Sequence, residues 1–297
     1  MNHSPSQRRV HQLCQHLLQR TPTSASASTA APPQNILITG VTSGIGWALS
    51  VEFAKMGHTI IGCGRRVTRL KELKQALANV SSAKHLLAQC DVTDASSVKQ
   101  FAHDVLHREK VVPDIVFANA GISIPTGPLW EVSASDFQHI FQVNVYGVFL
   151  VLQHFIPAVL KASRVQGSPY KRILATSSGL GHSTSPILGP YSATKFSVEA
   201  LMKSVAQSLE KETNIGAWPL APGIIQSEMM VHPKMPTASD WARDACPFIL
   251  ELGRPSANTP SGASVSVPGY YPKKYMETWI LEDGKRLPTQ VSAPFAE

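Results

Sequence analysis

The chain has 297 residues, a length that fits one large α/β domain with terminal extensions. Hydrophobic residues make up 43% and charged residues 16%, which supports a sizeable core and excludes a wholly disordered chain. Lys and Arg number 27 against 20 Asp and Glu, but the net charge of +7 comes without a dense basic run, so we expect no nucleic-acid partner.

Residues 1–33 form an N-terminal extension without any acidic residue. Val10, Leu13 and Leu17 recur at helical spacing, and a linker of small polar residues follows them. An acid-free amphipathic start that contains Arg and Ser is typical of a transit peptide, which would place the protein in a mitochondrial or plastid matrix. A short helix on a tail without targeting function fits equally well and would leave the protein cytoplasmic. Both interpretations stay open.

The most apolar stretch, residues 146–157, predicts no membrane span, because Gln153, His154 and Pro157 interrupt it well before the ~20 residues that a span needs. The four cysteines have neither paired nor zinc-type spacing. We therefore expect no metal site, and free thiols in a reducing compartment.

From Gln34 onward, short apolar runs alternate with longer helical patterns. The predicted strands are 35–39, 58–62, 85–89, 114–118, 172–176, 215–220 and 261–269. The predicted helices are 45–56, 66–78, 97–107, 134–160, 191–211 and 240–252. This alternation predicts a doubly wound, Rossmann-type parallel sheet with helices on both faces, formed by a single domain over residues 34–269 and followed by a C-terminal extension, residues 270–297. Pro219 removes a ladder donor, so we expect a bulge or a shortened sixth strand there.

A glycine-rich loop joins the first strand to the first helix. Glycines let the backbone turn tightly and approach a pyrophosphate, while the start of the helix offers N–H groups to the anion. A purely structural turn is the alternative. The predicted nucleotide-binding residues of this loop are Gly40, Thr42, Ser43, Gly44, Ile45 and Gly46.

The end of the second strand predicts which nucleotide binds. An NAD site usually has an acidic residue there that accepts from the ribose hydroxyls, whereas this chain has Gly64 followed by Arg65 and Arg66. A guanidinium can pair with a 2′-phosphate, and a carboxylate would repel it. The pattern favours NADP over NAD, although two arginines could simply open a solvated helix.

Tyr191 and Lys195 lie four residues apart, which places them on one face of a helix. A phenol with its ordinary pKa of about 10 is a poor base at neutral pH, and a neighbouring ammonium would lower that pKa. Together with Thr39 and the Gly-x-x-x-Gly-x-Gly spacing that follows it, this pair resembles the short-chain dehydrogenase/reductase family.

The resemblance implies a catalytic set of four residues. Ser178, thirteen residues before Tyr191, would hydrogen-bond the substrate oxygen, with Ser177 as the second choice. Tyr191 would exchange a proton with that oxygen. Lys195 would tune the phenol and hold the nicotinamide ribose, and Asn144 would support a water chain to the lysine.

The resemblance also implies further cofactor contacts. Asp91 would accept from the adenine amino group beside Val92, Asn119 would brace the sheet, and Ile225 would hold the carboxamide through its backbone. The full implied set is Asp91, Val92, Asn119, Ala120, Gly121, Tyr191, Lys195, Pro222, Gly223, Ile225 and Ser227.

Taken together, the resemblance implies an NADP(H)-dependent oxidoreductase that transfers a hydride between nicotinamide and a small carbonyl or alcohol substrate, most simply a ketone or aldehyde reductase. It implies a homodimer or homotetramer assembled through the helices near 134–160 and 191–211. A catalytically silent NADP-binding regulator or scaffold on the same fold is the alternative; a lyase, epimerase or dehydratase is less favoured.

Overall fold

The computed structural model describes residues 32–124, 127–223, 225–226, 236–254, 259–267 and 270. Apart from Pro32, these belong to one compact unit that begins at Pro33. The proposed N-terminal helix, Ser227 and the extension beyond residue 270 lie outside the described residues, so the boundaries and roles assigned to them stay predictions.

The sheet has seven strands in the order β3-β2-β1-β4-β5-β6-β7, and every ladder is parallel. The strands are β1 (Asn35–Thr39), β2 (Thr59–Gly64), β3 (Leu86–Gln89), β4 (Ile115–Ala118), β5 (Lys171–Thr176), β6 (Ile215–Ala221) and β7 (Val265–Ser266). This confirms the predicted doubly wound sheet.

Seven α-helices cover the sheet within the described residues. They are α1 (Gly44–Lys55), α2 (Val67–Ala78), α3 (Ala95–His103), α4 (Ala134–Phe141), α5 (Gly147–Ser163), α6 (Gly189–Ser208) and α7 (Ala238–Glu251). A π-helical turn, Asp104–Arg108, prolongs α3, and a second one, Gln142–Tyr146, joins α4 to α5. The long helical region predicted at 134–160 therefore exists, with a π-turn inside it.

The core lies in two layers, one on each face of the sheet. Ile36 and Ile38 of β1 point to the layer formed with α1, α2 and α7, whereas Leu37 points to the layer formed with α3, α5 and α6. All three side chains are fully buried, as expected for a parallel sheet covered on both faces. Continuous apolar strands therefore hold the carboxyl ends of β1, β4 and β5 in fixed positions.

The expectation of a bulge or a shortened strand at Pro219 is wrong. β6 runs unbroken from Ile215 to Ala221, and Pro219 stays in register with Ala175 of β5. The N–H of Ala217, two residues earlier, points away from β5 and donates to Ser261 Oγ over 2.9 Å. Because alternate strand residues share an orientation, the nitrogen of Pro219 points to the same side, where no β5 hydrogen bond is lost.

The last strand is shorter than the predicted 261–269. Ser261 and Gly262 form a turn against β6 in which Gly262 N donates to Ala217 O over 2.7 Å. The parallel ladder with β6 begins only at Val265 and lasts two residues. The small residues at the start of this segment therefore form a turn, and only the residues from Val265 onward form a strand.

One helical run in the described part of the chain, Ala134–Ser163, is long and apolar enough to cross a membrane by length and composition. Pro157 lies inside this helix, in agreement with the helix predicted over 134–160. In this fold 50% of its most apolar window is buried, and Val151, Leu152 and Phe155 belong to the core layer shared with α3 and α6. Packing against the sheet therefore accounts for the apolar pattern.

Candidate active site

The candidate site lies where the strand order reverses, between the carboxyl ends of β1 and β4. Gly40 follows β1 with a φ of 74°, a conformation that glycine adopts without strain. A Cβ on Gly40 would lie 2.9 Å from Ala120 Cα, so the two chain segments leaving β1 and β4 touch directly. Open α/β sheets bind their ligands in the crevice at such a switch point.

The glycine loop leads directly into α1. Gly44 opens the helix with a φ of 52°, and a Cβ on Gly46 would lie 2.4 Å from Gly40 O. Ser43 precedes the helix in an extended conformation and makes no side-chain capping bond, and the first turn carries no acidic residue. Thr42 is buried and Ile45 packs against the core. This uncapped helix start, reached through glycines, suits a phosphate group.

The end of β2 lies against the same loop. A Cβ on Gly64 would lie 2.7 Å from Thr42 Cγ2, so a side chain there would displace Thr42. Arg66 donates from Nη2 to Thr42 O over 3.1 Å, and Arg69 donates from Nε to the same oxygen over 3.2 Å. Arg65 is exposed next to them. Three guanidinium groups therefore follow β2 within five residues.

Sequence reasoning missed Arg69. Its guanidinium lies 4.8 Å from the centre of the Trp47 ring of α1 and pairs with Glu72 one turn further along α2. The spacing Arg66-x-x-Arg69 at a helix start places both side chains on one face, and this was the available signal.

Asp91 and Val92 follow β3 at the same edge of the sheet. Asp91 Oδ1 accepts from Thr93 N over 3.0 Å and from Thr93 Oγ1 over 2.8 Å, which fixes the carboxylate. Val92 is buried beneath the start of α5, because a Cβ on Gly147 would lie 2.9 Å from Val92 Cγ2. The adenine contacts that the family resemblance implies for this pair stay a prediction.

Asn119 ties three strand ends together. Its Nδ2 donates to Thr39 O of β1 over 2.9 Å, and its Oδ1 accepts from Thr176 Oγ1 of β5 over 3.0 Å. The backbone N–H groups of Asn119 and Ala120 both donate to Thr39 Oγ1 over 3.0 Å. Gly121 then passes close to Lys195, whose Nζ would lie 3.7 Å from a Cβ at that position.

Asn144 lies inside the π-turn and is almost completely buried. Its Oδ1 accepts from Ile122 N over 2.8 Å, and its Nδ2 donates to Ile122 O over 2.9 Å and to Thr194 Oγ1 over 3.2 Å. Asn144 therefore holds the segment after Gly121 against α6. Its expected part in a water chain to Lys195 stays a prediction.

The predicted acid–base pair, Tyr191 and Lys195, lies on α6. Lys195 Nζ lies 5.4 Å from the centre of the Tyr191 ring and donates to Thr176 O over 2.8 Å. Burial lowers the pKa of Lys195 to about 8, and the Glu199 carboxylate acts in the opposite direction. Burial raises the pKa of Tyr191, while its hydrogen bond with Ser178 lowers it. The structure thus brings Ser178, Tyr191 and Lys195 together as predicted.

The two adjacent serines differ in their contacts. Ser178 caps the short helical turn Gly179–Gly181, where its Oγ accepts from Leu180 N over 3.2 Å. Ser177 is 1% exposed and donates to Glu199, on the other side of the backbone. Ser178 is therefore the serine at Tyr191, and Glu199 is a second residue that sequence reasoning missed.

The loop after β6 leaves the carboxyl end of that strand, at the same edge of the sheet. Gly223 has a φ of 89°, and a Cβ there would lie 2.4 Å from Tyr270 O, so the chain beyond β7 returns over this loop. Pro222 precedes it and Ile225 buries its side chain in the core beside α7. The hydroxyl predicted for Ser227 lies outside the described residues.

The switch point, the uncapped helix start and the Tyr–Lys pair are typical of a nucleotide-binding α/β protein, with a candidate acid–base centre. A family model described as short chain dehydrogenase matches residues 34–235. The chain is 40% identical over 238 residues to the NADPH-dependent pterin aldehyde reductase of Arabidopsis thaliana, covering 78% of this chain and 94% of that one. The chain therefore belongs to the short-chain dehydrogenase/reductase family of oxidoreductases.

Two further similarities agree with this assignment. The chain is 32% identical over 203 residues to the chloroplastic chlorophyll(ide) b reductase NOL of Arabidopsis thaliana, covering 67% of this chain and 57% of that one. A short chain dehydrogenase structure from Salmonella enterica serovar Typhi has a TM-score of 0.72 at 24% identity, covering 82% of this chain and 100% of that one. At 24% identity, the similarity to the Salmonella structure supports the fold alone.

Proposed function

We propose that the protein is an NADP(H)-dependent reductase of small ketones or aldehydes. The observation that carries the proposal is the buried Lys195 ammonium beside Tyr191, whose phenol is hydrogen-bonded to Ser178 at the switch point. The aldehyde reductase from Arabidopsis thaliana, similar over 78% of the chain, supports the same reaction class.

In the reductive direction, Ser178 and Tyr191 together bind the carbonyl oxygen of the substrate. Tyr191 then gives its proton to the oxygen as negative charge develops there. The Lys195 ammonium stabilises the phenolate that remains, because it lies beside the ring in a buried site. When bound, NADPH supplies the hydride.

The proposed preference for NADP rests on the end of β2. Gly64 leaves no carboxylate to repel a 2′-phosphate, and a side chain there would collide with Thr42. Arg66 and Arg69 converge on the Thr42 carbonyl oxygen, and Arg65 is exposed beside them. Guanidinium groups bind phosphate through several charge-assisted hydrogen bonds, so this cluster favours the phosphorylated cofactor.

The remaining cofactor contacts follow the order of the strands. The glycine loop and the start of α1 would hold the pyrophosphate, and Asp91 with Val92 would flank the adenine. Asn119, Ala120 and Gly121 would line the nicotinamide side together with Lys195. Pro222, Gly223, Ile225 and Ser227 would complete that side from the loop after β6.

A substrate panel tests the reaction class. Purified protein is incubated with NADPH and a set of aldehydes and ketones that includes a pterin aldehyde, and the loss of NADPH absorbance is followed. Tyr191→Phe should keep NADPH binding and lose roughly 10²- to 10⁴-fold in turnover, because it lacks the transferable proton. Tyr170→Phe, which changes a phenol at the amino end of β5 and therefore at the opposite end of that strand from the site, is the matched control.

The silent-regulator alternative makes a different forecast. A regulator would bind NADPH tightly and oxidise it with no member of the panel. Undiminished turnover in Tyr191→Phe would instead show that the proton donor is assigned to the wrong residue.

We also propose that the protein self-associates through α4, α5 and α6. Phe137, Tyr146 and Phe149 are 40%, 38% and 42% exposed on this face. They line a broad depression of about 1010 Å³ together with Phe141 and Leu201. An apolar patch of this kind on a soluble domain is typical of a contact with another chain, here a second copy in a dimer or tetramer.

A further inference from the structure

A polar cluster lies beside the proposed catalytic residues without taking part in the proton transfer described above. We call Ser177, His182, Glu199 and Ser264 the Glu199 cluster. Ser177 Oγ donates to Glu199 Oε1, and Ser264 Oγ donates to the same oxygen over 3.1 Å. His182 Nε2 lies 3.1 Å from that oxygen and 3.0 Å from Ser264 Oγ. Three side chains thus contact the same carboxylate oxygen of Glu199.

The four side chains of the cluster come from three separate parts of the fold. Ser177 and His182 flank the short turn after β5, Glu199 belongs to α6, and Ser264 precedes β7. Leu220 of β6 is in register with both Thr176 of β5 and Val265 of β7, so the sheet already holds the segments of Ser177 and Ser264 beside each other. α6 lies outside the sheet, so side chains connect it to these segments. The Glu199 carboxylate does this from the centre.

Gly181 shows how closely the turn after β5 packs on α6. A Cβ on Gly181 would lie 2.8 Å from Ser177 Oγ, 3.0 Å from Glu199 Cγ and 3.2 Å from Lys195 O. Contacts below 3.0 Å would force one partner to move. The turn therefore rests on the helix backbone at Lys195, with the Glu199 cluster filling the remaining space.

The cluster determines where Ser178 lies. On one side, Ser177 is held by Glu199 and by its N–H, which donates to Leu220 O of β6 over 2.7 Å. On the other side, Ser183 Oγ donates to Gly179 O over 3.0 Å. Ser178 thus sits in a segment anchored at both ends, and Glu199 provides one anchor from the helix that also carries Tyr191.

The same carboxylate acts on the catalytic lysine. Glu199 follows Lys195 by four residues, which is one helical turn on the same face. Its charge raises the pKa of Lys195, against the larger effect of burial. The titratable groups that face Lys195 are Tyr191 and Glu199 from its own helix, with His182 of the turn behind Glu199.

We propose that Glu199 is a positioning residue with two effects. Its carboxylate holds the turn that carries Ser178 on the helix that carries Tyr191 and Lys195, and its negative charge acts on the Lys195 ammonium one helical turn away. The inference rests on the proposed reductase function, since it assigns Glu199 a role through those three residues.

The test combines two variants with different expected effects. Glu199→Gln keeps the shape and one acceptor oxygen but removes the charge, so kcat should fall roughly 10- to 100-fold because the reacting groups lose their alignment. The alkaline limb of its pH–kcat profile should move to lower pH, since Lys195 then loses its proton more easily. Ser177→Ala removes the hydrogen bond from Ser177 to Glu199 and keeps the Glu199 charge, so kcat should fall without a shift of the alkaline limb.

Glu210→Gln is the matched control, because Glu210 is exposed just beyond the end of α6. It should leave kcat and the pH profile as in the wild type. Equal kcat and an unmoved alkaline limb in Glu199→Gln would overturn the proposal, and so would a shifted limb in Ser177→Ala.

A second measurement needs no substrate and separates this proposal from the proposed function. Amide hydrogen exchange of residues 177–183 should be faster in Glu199→Gln and in Ser177→Ala than in the wild type, and unchanged in Glu210→Gln. A wild-type protein that turns over no member of the panel contradicts the reductase function alone. Unchanged exchange in both variants overturns the positioning role, whether or not the protein is active.

Discussion

Gly64, the last residue of β2, lies directly against Thr42 of the glycine loop, because a Cβ on it would come within 2.7 Å of Thr42 Cγ2. An aspartate at this position would therefore do more than repel a 2′-phosphate. Gly64→Asp should destabilise the fold by about 1–3 kcal/mol, the usual cost of forcing an extra side chain into a packed site. Denaturant unfolding measures that cost.

The double variant Gly64→Asp/Thr42→Ala, compared with Thr42→Ala alone, separates packing from charge. Removing the Thr42 methyl and hydroxyl should recover much of the lost stability while NADPH binding stays weak. Recovery of NADPH affinity together with stability would show that sterics alone determine the cofactor, contrary to the proposed charge effect.

The arginines after β2 should carry the preference for the phosphorylated cofactor. Arg65→Gln, Arg66→Gln and Arg69→Gln should each weaken NADPH binding about tenfold, the loss of one charge-assisted contact, and leave NADH binding nearly unchanged. Fluorescence titration with both cofactors gives the ratio. Lys71→Gln, an exposed cation on the same helix, is the control. Equal losses for NADPH and NADH would contradict the assignment.

Residues whose role depends on local spacing could be predicted from the sequence. The glycine loop and the pair Tyr191 and Lys195 belong to this class, since a strand-to-helix turn and an i, i+4 spacing determine where they lie. The alternation of apolar runs likewise predicted the parallel sheet. Whether Pro219 costs a hydrogen bond depends on which neighbouring strand its nitrogen faces, and the sequence does not show this.

Residues that act through distant contacts could not be predicted. Ser264 reaches Glu199 across 65 residues, and no pattern in either segment indicates that contact. The π-turn at Asn144 accompanies hydrogen bonds of its side chain to Ile122 and Thr194, which are 22 and 50 residues away. Such contacts appear only once the sheet has brought the carboxyl ends of its strands together.

The apolar face of α4, α5 and α6 should be buried in an interface between two copies of the chain. Phe149→Glu should shift the protein toward monomers, because an interface would have to bury an unpaired carboxylate. Sedimentation velocity measures the shift. Val165→Glu places the same charge at a 62% exposed position just beyond α5 and should leave assembly unchanged. A wild-type protein that is already monomeric at high concentration would refute self-association.

Lys195 should lower the stability of the fold at neutral pH, because its charged ammonium is buried. Its pKa is lowered to about 8 in the folded protein, chiefly by burial, from 10.5. The unfolded chain therefore binds more protons between these values, so this group makes the protein more stable as pH rises. Lys195→Met removes the group, and its stability relative to wild type should fall by about 2 kcal/mol between pH 7 and pH 10.

Paired denaturant unfolding of Lys195→Met and wild type at both pH values gives this difference directly. The variant should also lose reductase turnover, since no ammonium then stabilises the Tyr191 phenolate. Lys203→Met, an exposed lysine on the same helix, should show neither effect. A stability difference that does not change with pH would mean that Lys195 keeps an ordinary pKa in the folded protein, and the account of how it tunes Tyr191 would then fail.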